Sequence, residues 1–188
     1  PVQAIIDDLG GDIAGYTDVY LDGSREEVRT QETNLGNLTA DANAAALRGQ
    51  EDLGDNAVVV SIKNGGGIRA AIGTFSSPGP NGEVDELPPQ PNGAVSALDI
   101  GNALRFDNSL IALDLTAEGL KAVLEYGVSG IAGATEGRFP QVGGVRFSFD
   151  QSLEVGSRVR DIALVAADGS LIPLFDDGEL IAGVDPEM

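Results

Sequence analysis

The stretch "KNGGGIRAAI", residues 63–72, sets three consecutive glycines between an asparagine and an arginine, directly after an apolar run of strand character. Backbone without a Cβ lets a ligand come close, bare amides can donate to an anion, and Arg69 adds a fixed guanidinium. Other residues could join it. Arg29 lies just before a helical stretch, Arg105 and Phe106 share the corner "RFDN", and Arg138 and Phe139 share another, "GRFPQ". Amide donors, guanidiniums and an exposed ring are together what a nucleotide needs: anion donors, hydroxyl partners and a face for the base.

Each residue also has a plainer role. The glycines could serve only a tight turn with Arg69 as a solvated charge, Arg29 could pair with Glu26, Glu27 or Glu32, and Phe106 could be core. Arg138 and Phe139 read as structural, with "GRFPQ" positioning a loop, and Asn37 and Asp41 fit helix-surface or capping roles. A dinucleotide fingerprint is excluded, because "AAIGTFSSPGP" cannot continue far as the helix such a turn must open. No phosphate-loop GxxxxGK[ST] and no calcium loop occurs.

Composition narrows the chemistry. Thirty acidic against 11 basic residues give a net charge of −19, which repels nucleic acid and anionic lipid, so any anion site must be local. There is no Cys and no His, which removes thiolate and imidazole metal ligands, cysteine nucleophiles and the Ser-His-Asp arrangement. No catalytic or metal-binding residue is expected in this chain. No apolar run approaches the ~18 residues that span a bilayer, so no membrane insertion is expected. The start "PVQAIIDDLGG" lacks the marks of a signal peptide and has no Met, and reads as a processed product or fragment.

The elements that must position these residues are legible in part. "TDVYLDGS" suggests a strand at 19–21 and an Asp22-Gly23 turn; Leu35, Leu38, Ala42 and Ala45 recur at helical spacing, capped by Thr33 or Asn34 and ended by Gly49. "NAVVVSIKN" reads as a strand buried on both faces, delivering the chain to the glycines. Residues 73–93 are dense in Pro and Gly and form a long surface excursion. A short helix then runs into the "RFDN" corner, "SLIALDL" is a strand, and a helix follows with Leu120, Val123, Leu124 and Gly127 along one side. Alternation at Val145, Phe147 and Phe149, then "RVRDIALV" and an Asp168-Gly169 hairpin, predict an antiparallel meander. The fold class is α+β, a mixed sheet with packed helices in one domain over residues 1–188.

Four blocks, "VRTQETNLGNLTADA", "NGGGIRAAI", "ALRFDNSLIALDLT" and "GRFPQVGGVRFSFD", occur in this order over residues 28–150 and closely resemble the C-terminal domain of the 5'-nucleotidase family. That family includes secreted and ecto-nucleotidases, UDP-sugar hydrolases and 2',3'-cyclic phosphodiesterases. The third block is similar to the family's "PFGN" corner, with Arg105 in place of Pro and Asp107 in place of Gly.

The resemblance implies that an N-terminal metallophosphatase domain, absent here, holds two divalent metal ions and cleaves the phosphate ester. This domain would bind the nucleoside and present it. Asn64 would hydrogen-bond the nucleoside, Gly66 and Gly67 would let it approach, Arg29 and Arg69 would contact ribose or phosphate oxygens, and Phe106 would form one side of an aromatic clamp. The second clamp aromatic belongs to a "GGDG" segment that would follow "VDPEM", so half the clamp is expected to be missing. The chain alone is expected to be inactive, and its setting periplasmic or extracellular. The same fold also carries thiosulfohydrolases, and a non-catalytic nucleoside-binding module is a third reading; an exposed Phe106 would favour a planar base over sulfate.

Overall fold

The computed structural model describes residues 2–50, 58–131 and 136–184. Its helices are α1 (Val2–Gly11), α2 (Asn34–Gln50), α3 (Ala97–Ala103) and α4 (Ala117–Val128). Its strands are β1 (Ile13–Tyr16), β2 (Ser61–Asn64), β3 (Thr74–Phe75), β4 (Glu86–Leu87), β5 (Ala94–Ser96), β6 (Pro140–Gly143), β7 (Val145–Phe149), β8 (Val159–Val165), β9 (Leu171–Asp176) and β10 (Glu179–Leu180). Two short 3-10 turns, Glu27–Arg29 and Gly65–Gly67, carry the residues of most interest.

The α+β class holds, and the described strands pair antiparallel in small sheets: β7 to β10 form the expected meander, β2 pairs with β6, β1 with β5 and β3 with β4. Gly169 at φ +82° turns the Asp168-Gly169 hairpin, a conformation that costs a residue without Cβ little. The 73–93 excursion contains only the two-residue β3–β4 ladder.

Two apolar clusters hold the fold. One gathers α4 (Ala117, Leu120, Leu124, Val128), Phe139 and the meander; the other gathers Leu21, Val28, Leu35, Ile68, Ile72 and Ala103. The glycine turn crosses between them: Ile62 before it packs against the first cluster, and Ile68 after it is buried in the second.

α2 forms where expected, with Thr33 Oγ1 accepting from Gly36 N at 3.0 Å as the N-cap. Asn34 instead ties back the preceding turn, accepting from Asp22 N and donating to Tyr20 O. The buried face differs from the apolar spacing: Leu35, Gly36, Thr39, Ala40 and Ala44 are inside, while Leu38 is 52% exposed. Small residues face inward because β6 comes close, and a Cβ on Gly36 would lie 2.0 Å from Gln141 Oε1. Nor does Gly49 end the helix, which runs to Gln50.

Other expectations are corrected. Residues 19–21 give only one bridge, Leu21 to Ile72. The strand expected over 56–64 pairs only at Ser61–Asn64, and its start at 56 and 57 lies outside the described residues. "SLIALDL" has strand composition but finds no ladder among the described residues, and Leu110, Ile111, Leu113 and Leu115 are exposed there. In α4, Val123 faces out and Glu125 faces in. Glu125 accepts from the amides of Arg158 and Val159, while the Arg158 guanidinium donates to Val128 O and Ser129 O at the end of α4.

Gln141 is the buried polar tie of the fold, at 1% exposure. Its Oε1 accepts from Thr33 N at 3.1 Å, and its Nε2 donates to Val28 O at 3.1 Å and Gln31 O at 2.7 Å. The bonds run from β6 to the Glu27–Arg29 turn and the start of α2. Gln141→Ala should therefore destabilise the chain by about 2–4 kcal/mol in urea unfolding, since buried backbone groups lose partners. A change below about 0.5 kcal/mol would refute this role.

Acid should weaken the meander. The Ser152, Ser148 and Ser170 hydroxyls hold Asp150, Asp161 and Asp168, respectively, below the ordinary Asp value. A carboxylate depressed in the folded state stabilises it above the unfolded value, about 3.9, and the benefit is lost as pH falls through the folded value. The triple Asp→Asn variant should thus melt below the wild type at neutral pH, and the gap should close near pH ~2. A gap independent of pH would contradict the assignment.

Candidate functional site

Each candidate side chain is close in sequence to a core anchor. Arg29 follows Val28, Arg69 follows Ile68 and Arg138 precedes Phe139, while Phe106 comes three residues after Ala103. Packing the apolar residue therefore fixes where its polar neighbour emerges.

Arg29, Asn64, Gly66, Gly67 and Phe106 line one shallow cavity of about 490 Å³. Asn108, Gly137 and Arg138 complete its wall. Phe106 is 54% exposed, which removes its core reading, and Arg29 is only 8% exposed. The "RFDN" and "GRFPQ" corners thus meet across the glycine turn. Asn108, Gly137 and Arg138 are the lining residues that sequence reasoning misses, and the available signal is their place in those two corners.

Two of the three glycine amides are used within the protein. Gly65 N donates to Phe139 O at 2.7 Å, Gly66 N to Gly137 O at 2.8 Å and Ile68 N to Gly65 O at 3.0 Å. Those amides are occupied within the protein and do not serve an anion. What the glycines provide is close approach: a Cβ on Gly65 would lie 1.7 Å from Val28 O, and one on Gly66 would lie 2.8 Å from Gly137 Cα. The Asn64 amide Nδ2 also donates to Gly137 O, at 3.3 Å. Its Oδ1 lies over Gly67, 3.3 Å from where a Cβ would be, and offers an acceptor beside the cavity.

Arg69 is exposed beside the turn and is not one of the residues that line the cavity. Its Nη1 donates to Gly66 O at 3.2 Å, its guanidinium carbon lies 5.8 Å from the Phe106 ring centroid, and its backbone amide donates to Ala103 O. It holds both the turn and the ring. Burial, then the like charges of Arg25 and Arg69, pull the Arg29 guanidinium below its ordinary value, and Glu136 opposes them. An arginine stays protonated regardless, so Arg29 and Arg138 put two guanidiniums on the wall of one cavity of a −19 chain, with Arg69 against the Phe106 ring beside them.

Other hollows suit an anion less well. A groove of about 360 Å³ between α2, residues 58–62 and residues 110–114 is lined mainly by apolar residues, and its one charged residue is Asp114. One of about 700 Å³ beside β6 carries Glu32 and Asp41 against the single cation Arg146, with Asn37 bonded to Glu32 at 2.6 Å. Among the described residues no group of three or more His, Cys, Asp or Glu could hold a metal ion. No helix there is long and apolar enough to cross a membrane.

The architecture defines the class first: helices with small antiparallel sheets, as in solved 5'-nucleotidase chains. A 5'-nucleotidase precursor from Thermus thermophilus superposes with a TM-score of 0.72 at 32% identity, covering 93% of this chain and 29% of that one. The family model for the 5'-nucleotidase C-terminal domain matches residues 13–179, and the chain belongs to that family. It is 34% identical over 172 residues to the trifunctional nucleotide phosphoesterase protein YfkN of Bacillus subtilis, covering 92% of this chain and 10% of that protein. It is 35% identical over 146 residues to human 5'-nucleotidase, covering 77% and 23% respectively. The chain therefore spans less than a third of the length of each of these relatives.

The close approach at the turn predicts a ranking. Gly66→Ala should cost about 1–3 kcal/mol in urea unfolding, as overpacking against backbone does, because the new methyl meets Gly137. Gly67→Ala should cost clearly less, its nearest neighbour being the Asn64 side chain at 3.3 Å. Equal costs, or the reverse order, would show that the turn does not depend on this contact.

Proposed function

We propose that the chain is the substrate-recognition domain of a 5'-nucleotidase, binding nucleoside monophosphates or related nucleotide esters for hydrolysis to nucleoside and phosphate. The observation that carries this is one cavity lined by Arg29, Asn64, Gly66, Gly67 and Phe106, residues separated by up to 77 positions (106 minus 29) and brought together by the fold. Phe106 offers a face to a base, Asn64 Oδ1 accepts from a hydroxyl or amino group, and Arg29 supplies charge for an anionic oxygen. Arg69 contributes by holding Phe106 and Gly66, with its charge beside the site for a ribose or phosphate oxygen.

In this reading two divalent ions would belong to a metallophosphatase domain outside this chain, polarising the phosphate and generating the nucleophile. The described residues offer no such ligand set, and their work is to bind and orient. The chain by itself would bind without turnover. Its setting would be periplasmic or extracellular, as the resemblance implies. An exposed ring at the cavity favours a planar base over a sulfate and so favours this reading over a thiosulfohydrolase.

Titration calorimetry of the chain with adenosine and AMP tests the proposal. Phe106→Ala should weaken both by about 1–3 kcal/mol, the range for base–aromatic stacking, and leave the melting temperature unchanged. Unchanged affinity in a folded variant would sink the stacking role.

A further inference from the structure

Arg138 stands one residue after Gly137, whose carbonyl accepts from both Gly66 N and Asn64 Nδ2, and it lines the same cavity as Arg29. Its guanidinium is held from two sides. The Tyr126 ring centroid lies 5.1 Å from the guanidinium carbon, and the Glu136 carboxylate stands 3.5 Å from Nη2. The ring orients the group without consuming a donor. The carboxylate makes a long ion pair whose side chains are 35% and 40% exposed, and pairs of that kind contribute little and exchange readily. The buried Nε finds no acceptor among the described residues. The terminal NH groups are therefore committed to nothing stronger than this one exposed pair. Glu136 also acts on Arg29, so a single carboxylate faces two guanidiniums of one cavity.

We propose that Arg138 is an anion-binding, specificity-determining residue of the cavity, and that a ligand phosphate displaces Glu136 from it. A phosphate brings more charge and more acceptor oxygens than the carboxylate it replaces, and a guanidinium fork matches it with two parallel bonds. The cavity then selects phosphorylated over unphosphorylated nucleosides. Glu136 keeps Arg138 compensated while the site is empty. This inference rests on the nucleotide-recognition reading above.

The test is calorimetry of the 188-residue chain with AMP and with adenosine, each variant also being melted to confirm folding. Arg138→Gln should weaken AMP about tenfold, the scale of one charge-assisted hydrogen bond, and adenosine less than about twofold. Arg138→Lys should recover part of the loss. Glu136→Gln should tighten AMP, and the gain should vanish in the Arg138→Gln background. Equal losses on both ligands, undiminished AMP binding by folded Arg138→Gln, or a Glu136→Gln gain that survives without Arg138 would each overturn the proposal. A wild-type chain that binds neither ligand would overturn the recognition reading itself, whereas the other outcomes leave that reading standing.

Discussion

Everything at the site depends on three backbone segments lying in van der Waals contact where a side chain would keep them apart. Residues 28–29, 64–67 and 137–141 meet there, with Gly65 wedged against Val28 O, Gly66 against Gly137, and the Gly65 and Gly66 amides bonded to Phe139 O and Gly137 O. Gln141 adds bonds from β6 to Val28 O, Gln31 O and Thr33 N. Val28 belongs to one apolar cluster and Phe139 to the other. The contact is thus the seam between two cores, and the cavity opens at that seam. A site built this way inherits the rigidity of both cores, which is what orienting a substrate requires.

The second constraint is electrostatic. A chain at −19 attracts no anion at long range, and screening confines each charge to about 8 Å at physiological salt. In the proposed site the charge for an anion would come from arginines near the turn, one of them buried. Arginine suits the task because its charge survives both burial and the like charge of its neighbours. The proposed division between recognition here and chemistry elsewhere fits the same inventory: arginines, an asparagine and an exposed ring line the cavity, and the chain has no imidazole or thiol.

Much of the scaffold was legible because its signals are local. Period-two alternation with an Asp-Gly turn marks the meander, and a Thr or Asn cap before apolar residues at helical spacing marks α2. What stayed hidden depends on distance in space. The inner face of α2 is made of Gly36, Thr39, Ala40 and Ala44 because β6 is near, and no period in the sequence distinguishes that from the Leu38 side. Gln141 reads as an ordinary polar residue until its partners, more than 100 positions away, are in view. At the site, the glycine turn, Arg29 and Phe106 were visible as types suited to a nucleotide. Hidden were the bonds of the Gly65 and Gly66 amides to protein carbonyls and the place of Arg138 in the cavity wall. Which way an arginine points depends on the strand and helix beside it, and composition carries no trace of that.

The most direct test of the central claim is an amide chemical-shift map of the 15N-labelled chain titrated with AMP. The account predicts saturable shifts clustered at residues 29, 64–69, 106–108 and 136–138, with residues 58–60 and 110–114 of the apolar groove unmoved. Shifts centred on that groove, or none at millimolar AMP, would contradict it.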